Sequence, residues 1–225
     1  MPHFKPTGQI GPISLIARGQ NAHIIWQTLP FPAEKENIEK VIMRLFCAEW
    51  SKHGVLVIWS KNQEDHFDFT LHLPGGKIFI DLIELIYRTE PGQPYLSREL
   101  RVDVTEYAKQ ICEAIENKSR KYGAATQTPI HLLTYITHWR FETSEAVLRL
   151  VQYYFHTHPH IFENIFFLSP KNRDNANLRV IYPTVPGLFE GFDPSLYVGS
   201  IYLNLDPVKW ELHVSSFSEG IAVDS

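Results

Sequence analysis

Three carboxylates fall within one short stretch of this chain, Asp68, Asp81 and Glu84 in residues 66–87, HFDFTLHLPGGKIFIDLIELIY. They interrupt segments that are otherwise strongly apolar, and a carboxylate in such a setting needs a compensating partner. Two carboxylates held close together repel, which raises one pKa unless a cation sits between them. Oxygen ligands so placed suit Mg²⁺, which commonly takes one or two carboxylates and keeps several waters. The chemistry on offer is a divalent-metal clamp, with Asp68 and Asp81 as ligands and Glu84 as the alternative second acid. The plain reading beside it is a solvent-facing Asp68 with a structural partner for Asp81 or Glu84.

The element that must position these acids is a β-hairpin. From Phe67 to Leu73 polar and apolar residues alternate, with Phe67, Phe69, Leu71 and Leu73 on one face and Asp68, Thr70 and His72 on the other. Pro74-Gly75-Gly76 is strong turn chemistry. The return strand, from Lys77 to Tyr87, is apolar on both faces, as a central strand covered from two sides would be. With Gly75-Gly76 as the loop, Leu73 pairs with Ile78, Thr70 with Asp81 and Asp68 with Ile83. Asp68 and Asp81 are then diagonal neighbours on one face, roughly 5–8 Å apart at Cβ. A loop one residue longer brings Glu84 to that face instead.

Around the hairpin the chain alternates helices and strands. A helix over residues 33–52 carries Ile38, Val41, Ile42, Leu45, Phe46 and Trp50 on one face, with Glu34 and Glu36 in its first turn. Residues 55–59 form a short apolar strand. Residues 88–100, with Pro91, Gly92 and Pro94, read as a loop. A second helix starts at the Asp103/Glu106 capping pattern and ends near Gly123, with Lys118, Arg120 and Lys121 in its last turn. A strand from Ile130 follows, then a third helix capped by Thr143 or Ser144 and ended by Pro159, then a buried strand over 164–169. Residues 178–182, 197–205 and 210–216 are β-like. The expected division is an arm or small hairpin over 1–32, an α/β core over 33–170 and a β-rich extension over 171–225.

At 225 residues, 44% hydrophobic and 20% charged, the composition is that of a soluble globular protein. No apolar run reaches the length of a membrane span and no basic-then-apolar leader is present, so the expected setting is cytoplasmic. Cys47 and Cys112 lie in helices without metal-ligand spacing and read as buried thiols. A net charge of −4 argues against a protein that grips nucleic acid by its overall field, and leaves room for a local basic groove or a metal-bridged phosphate. His156 and His160 have the i, i+4 spacing of a metal pair, but Pro159 interrupts the helix and no HExxH pattern is present, so a histidine-bearing surface turn is expected. His131 and His138 fall on opposite faces of their strand. There is no GxGxxG, GxxxxGK[ST] or GxSxG signature.

The order helix, strand, hairpin, helix, strand, helix, strand places helices on both sides of a mixed sheet. With acids on the hairpin, residues 33–170 resemble the PD-(D/E)XK nuclease-like superfamily, in which an αβββαβ core carries an Asp on its second strand and an acid-x-Lys on its third. Asp68 matches the first motif and Asp81-Leu82-Ile83 the second. Ile83 stands where the family has its lysine, and Phe67 where a proline precedes the Asp. The resemblance implies a restriction-endonuclease-like core and Mg²⁺-dependent phosphodiester cleavage, with nucleic acid as partner. It implies Asp68 and Asp81 as metal-binding catalytic residues, Lys118 or Lys121 as a lysine moved to the neighbouring helix, and Glu36 or Glu39 as a further acid from the first helix. The missing lysine equally implies a non-catalytic binding or assembly protein that keeps the fold, working as a homodimer or with a protein partner.

Overall fold

The computed structural model describes residues 13–18, 21–26, 30–52, 54, 57–62, 67–88, 99–122 and 129–205, with backbone alone at 13–18, 21–26, 99–100 and 205. The β-like stretch at 210–216 lies outside the described residues.

The centre of the molecule is a six-stranded mixed sheet. Its strands, in chain order, are β3 (Ile58–Lys61), β4 (Phe69–Leu73), β5 (Gly76–Glu84), β7 (Ile130–Tyr135), β8 (Asn164–Pro170) and β9 (Ala176–Tyr182), and they lie side by side in that order. The first three form an antiparallel meander, β5, β7 and β8 run parallel, and β9 returns antiparallel at the far edge. The helix α1 (Lys35–Ser51) precedes the meander; α2 (Val104–Arg120) and α3 (Glu145–Thr157) are the crossovers between parallel strands. This is a mixed α/β sheet flanked by helices, as the order of elements predicts. Two peripheral hairpin-like sheets accompany it, β1 (Ile13–Arg18) with β2 (Asn21–Trp26) and β6 (Glu99–Asp103) with β10 (Ile201–Leu205). β9 lies beyond residue 170 yet belongs to the central sheet, and β6 occupies the end of the segment read as a loop.

Two apolar cores follow from the strand alternation. On one face Ile42, Leu45 and Phe46 of α1 meet Phe69, Leu71, Ile80 and Leu82. On the other Tyr107, Ile111 and Ile115 of α2 and Val147, Val151 and Phe155 of α3 meet Leu132, Ile165 and Phe167. Ile42, Met43 and Phe46 are fully buried, and each such side chain contributes about 1.5–3 kcal/mol relative to exposure. The helix starts are those the sequence marks: Asp103 accepts the Glu106 backbone N–H at 2.8 Å, and Ser144 that of Val147 at 3.3 Å. No helix among the described residues is long and apolar enough to cross a membrane.

Candidate functional site

The hairpin register sets the site. Leu73 pairs with Gly76, Thr70 with Phe79 and Phe69 with Ile80. This corrects the expected register by two residues. Pro74 has the φ that suits the first position of a tight turn, so the tip is Pro74-Gly75, and Gly76 opens β5 with a φ of +142°. A two-residue shift preserves which face each side chain takes and moves the pairing along the strand. Asp68 therefore stands directly across from Asp81, not diagonal to it.

The two carboxylates brace the hairpin's open end reciprocally. Asp68 donates its backbone N–H to Asp81 Oδ1 at 3.1 Å, and Leu82 donates its backbone N–H to Asp68 Oδ2 at 2.8 Å. Asp81 sits on the α2 face of β5, between Phe79 and Ile83, and is completely buried; Asp68 is 28% exposed and forms the solvent side of the pair. α2 runs antiparallel above β5, with Gln110 against Arg88 and Lys118 against Asp81. Lys118 Nζ lies 3.0 Å from Asp81 Oδ2 and 3.7 Å from Asp68 Oδ2.

Tyr122 completes the cluster. It lies one helical turn beyond Lys118, its hydroxyl donates to Asp81 Oδ2, and its ring stacks on Phe67 at 4.8 Å. Phe67 in turn stacks on Phe79 at 4.5 Å. The i, i+4 spacing of Lys118 and Tyr122 is the signal in the sequence that places the tyrosine on the same side as the lysine.

Burial pushes the Asp81 carboxyl up to about 7, and the neighbouring Asp68 adds to the rise through its hydrogen bond and its charge; Lys118 opposes both. The cluster thus holds two acids against one ammonium. That leaves it one negative charge in excess when both acids are ionised.

The other predicted residues lie elsewhere. Glu84 falls on the opposite face of β5 by alternation and accepts from the Thr137 hydroxyl. Glu39 is buried on α1, across the sheet from α2, with Lys35 at 3.3 Å. Glu36 is held by Lys40 at 2.9 Å and Lys61 at 3.3 Å, and these lysines lower its pKa. Lys121 is exposed at the α2 C-cap. Tyr135 is buried with no partner for its hydroxyl among the described residues; burial first, then the charges of Glu84, Glu39 and Asp68, raise its pKa. The histidines at and beyond the end of α3 diverge. His156 meets the Thr184 hydroxyl, His158 stacks on Tyr154, and His160 packs edge-on against Tyr182.

Among the described residues no group of three or more His, Cys, Asp and Glu side chains is arranged to hold a metal. The donor set of the hairpin is instead a pair of carboxylates, all oxygen, with one side open to water. That set fits a hard divalent cation that keeps most of its waters, and it does not fit a soft transition metal. A separate cleft of about 330 Å³ lies further along α2, lined by Glu84, Leu85, Arg88, Gln110, Glu113 and Asn117 among others; Asp68, Asp81, Lys118 and Tyr122 do not line it.

No family model matches this chain, and no curated protein matches it. Among solved structures it is similar to Pyrococcus furiosus SfsA in complex with Ca²⁺, at 11% identity and a TM-score of 0.27, over 75% of this chain and 74% of that one. A likeness at that score carries no inference.

Proposed function

We propose that the protein is a divalent-metal-dependent phosphodiesterase of the PD-(D/E)XK type, acting on nucleic acid in the cytoplasm. The observation that carries this reading is the direct opposition of Asp68 and Asp81 across the hairpin with the Lys118 ammonium touching both. Asp68 and Asp81 would hold Mg²⁺; when bound, such a cation polarises a phosphate and acidifies a water. Lys118 supplies, from α2, the cation that Ile83 removes from the strand. Tyr122 holds Asp81 in place through its hydroxyl. Calorimetric titration with Mg²⁺ and Mn²⁺ tests the site. Binding by the native protein that Asp68→Asn and Asp81→Asn both abolish supports the reading; no uptake at millimolar metal, with Lys118 in place or replaced by Met, refutes it.

One observation favours the second reading, an assembly protein without this activity. Leu196, Val198, Ile201 and Leu203 are between about half and three-quarters exposed, an apolar ribbon along β10 and the turn before it. If a second copy of the chain covers it, sedimentation shows a dimer that Leu203→Asp dissociates.

A further inference from the structure

The reciprocal bracing of the two acids limits which oxygens they can offer. Asp81 Oδ1 is committed to the Asp68 N–H, and Asp68 Oδ2 to the Leu82 N–H. Neither carboxylate can rotate without breaking a hydrogen bond at the hairpin's open end. The oxygen that Asp81 has left, Oδ2, is the one already held by Lys118 and Tyr122. Lys118 Nζ stands 3.0 Å from it and 3.7 Å from Asp68 Oδ2, and so occupies the place between the acids. A Mg²⁺ bridging these two oxygens from the side the ammonium occupies would lie about 2.1 Å from each of them and inside the contact distance of the ammonium nitrogen. Sterics forbid that, and two cations so close repel strongly where water is scarce.

We propose that Lys118 is a built-in counter-ion that excludes a divalent cation from the Asp68–Asp81 pair, and that metal enters only as the ammonium swings out. The inference rests on the metal-site reading above and adds a gate to it. Charge supports it: two carboxylates with the ammonium carry one negative charge, with the divalent cation alone they are neutral, and with both they are positive beside an apolar core. The means of exit are present, since Lys118 is on the last turn of α2, has a four-carbon stem and is already 20% exposed. Once outside, the ammonium needs an anionic partner, and a phosphodiester arriving along α2 supplies one. Metal and a polyphosphate strand then favour each other's binding.

The test is an Mn²⁺ titration of the full chain and of Lys118→Met at about pH 8, with a thermal melt to confirm that the variant is folded. Lys118→Met should bind Mn²⁺ at least about tenfold more tightly, because a repelling charge has gone. Independently of any variant, Mn²⁺ saturation of the native protein should speed acylation of Lys118 by an amine-reactive ester, read by peptide mass spectrometry. Equal or weaker Mn²⁺ binding by Lys118→Met, or unchanged Lys118 labelling in a protein that binds Mn²⁺, overturns the gate and leaves the metal site standing. If neither form binds Mn²⁺, the metal site itself fails and takes the gate with it.

Discussion

Two lysine–carboxylate clusters among the described residues are built differently, one around Asp81 of β5 and one joining the turn before α3 to the end of β8. At the open end of the hairpin, Lys118 faces two acids, one fully buried, with a tyrosine hydroxyl as the remaining donor. Across the sheet's far half, Lys171 faces one acid, Glu142, at 3.8 Å, and both bond the Ser169 hydroxyl, at 3.2 and 2.7 Å. The second cluster balances one charge against one. The Glu142 carbonyl also accepts from Tyr202 and Asn204, so that segment ties β10 to the turn before α3. Burial holds the Glu142 carboxyl above its usual range, and Lys171 and Ser169 offset part of that rise. The first cluster has no such balance. Its excess negative charge needs a protein cation, a proton or a metal, and that need separates a site from a fastening.

Removing one acid from each cluster should give the widest difference. Asp81→Asn should abolish Mn²⁺ binding and lower metal-dependent cleavage of DNA at least about 100-fold, as loss of a principal electrostatic group does. Glu142→Gln should leave both within about twofold, because the amide still accepts from Ser169. Parallel metal titrations and cleavage assays decide it, and similar losses in both variants would erase the distinction.

The pH dependence of stability separates the clusters next. The folded Asp81 carboxyl, at about 7, lies above its unfolded value near 3.8, so the native state binds the proton more tightly. Stability is then greatest below about pH 4, falls as pH rises to about 7, and is level beyond. The fall attributable to Asp81 is on the order of 4 kcal/mol. Urea unfolding from pH 4 to 8 should show it in the native protein, and Asp81→Asn should flatten it. Glu142 shifts in the same direction, and Glu142→Gln should leave most of the slope.

Much of this arrangement is legible from local pattern, and the rest depends on pairing across the chain. The helical spacing of Ile38, Ile42 and Phe46 and the caps at Asp103 and Ser144 act within a few residues, so helices and their starts are visible. The alternation holds from Phe69 to Leu73, where Phe69 and Leu71 face the α1 core, but it fails at Phe67, which precedes β4 and stacks on Phe79 and Tyr122 in the opposite core. Register is harder, because Pro74, Gly75 and Gly76 all favour a turn and the selection lies in which φ each adopts. The β6–β10 pair joins segments nearly a hundred residues apart, and no local signal announces it. Lys118 meets Asp81 only because α2 packs antiparallel over β5, and Tyr122 was hidden for the same reason: an aromatic residue on an apolar helix face reads as core.

The lysines themselves should differ by a smaller margin. Lys118→Met leaves a fully buried carboxylate without its cation, and loss of one partner of a buried pair costs about 3–5 kcal/mol. Asp81 can escape part of that by taking a proton, so the expected loss at pH 7 is about 2 kcal/mol. Lys171→Met removes one member of a pair that is about a third exposed on both sides, and should cost under about 1 kcal/mol. Equal losses in urea unfolding would mean that both lysines serve only the fold.

The smallest effects distinguish the two tyrosines. The Tyr122 hydroxyl donates to the Asp81 carboxylate, and the Tyr202 hydroxyl donates to the Glu142 main-chain carbonyl at 2.8 Å. Either Phe variant loses one hydrogen bond, worth about 1 kcal/mol. The acceptors differ, and that gives the pair its use. A carbonyl does not titrate, so Tyr202→Phe should lower stability by a similar amount at every pH. A carboxylate does, and Tyr122 favours its charged form, so Tyr122→Phe should raise the Asp81 pKa further and carry the fall in stability to higher pH. A uniform loss in both variants would show that the Tyr122 hydroxyl does not tune Asp81. A displaced pH midpoint in Tyr122→Phe alone would identify it as the residue that keeps the buried acid ionisable near neutral pH.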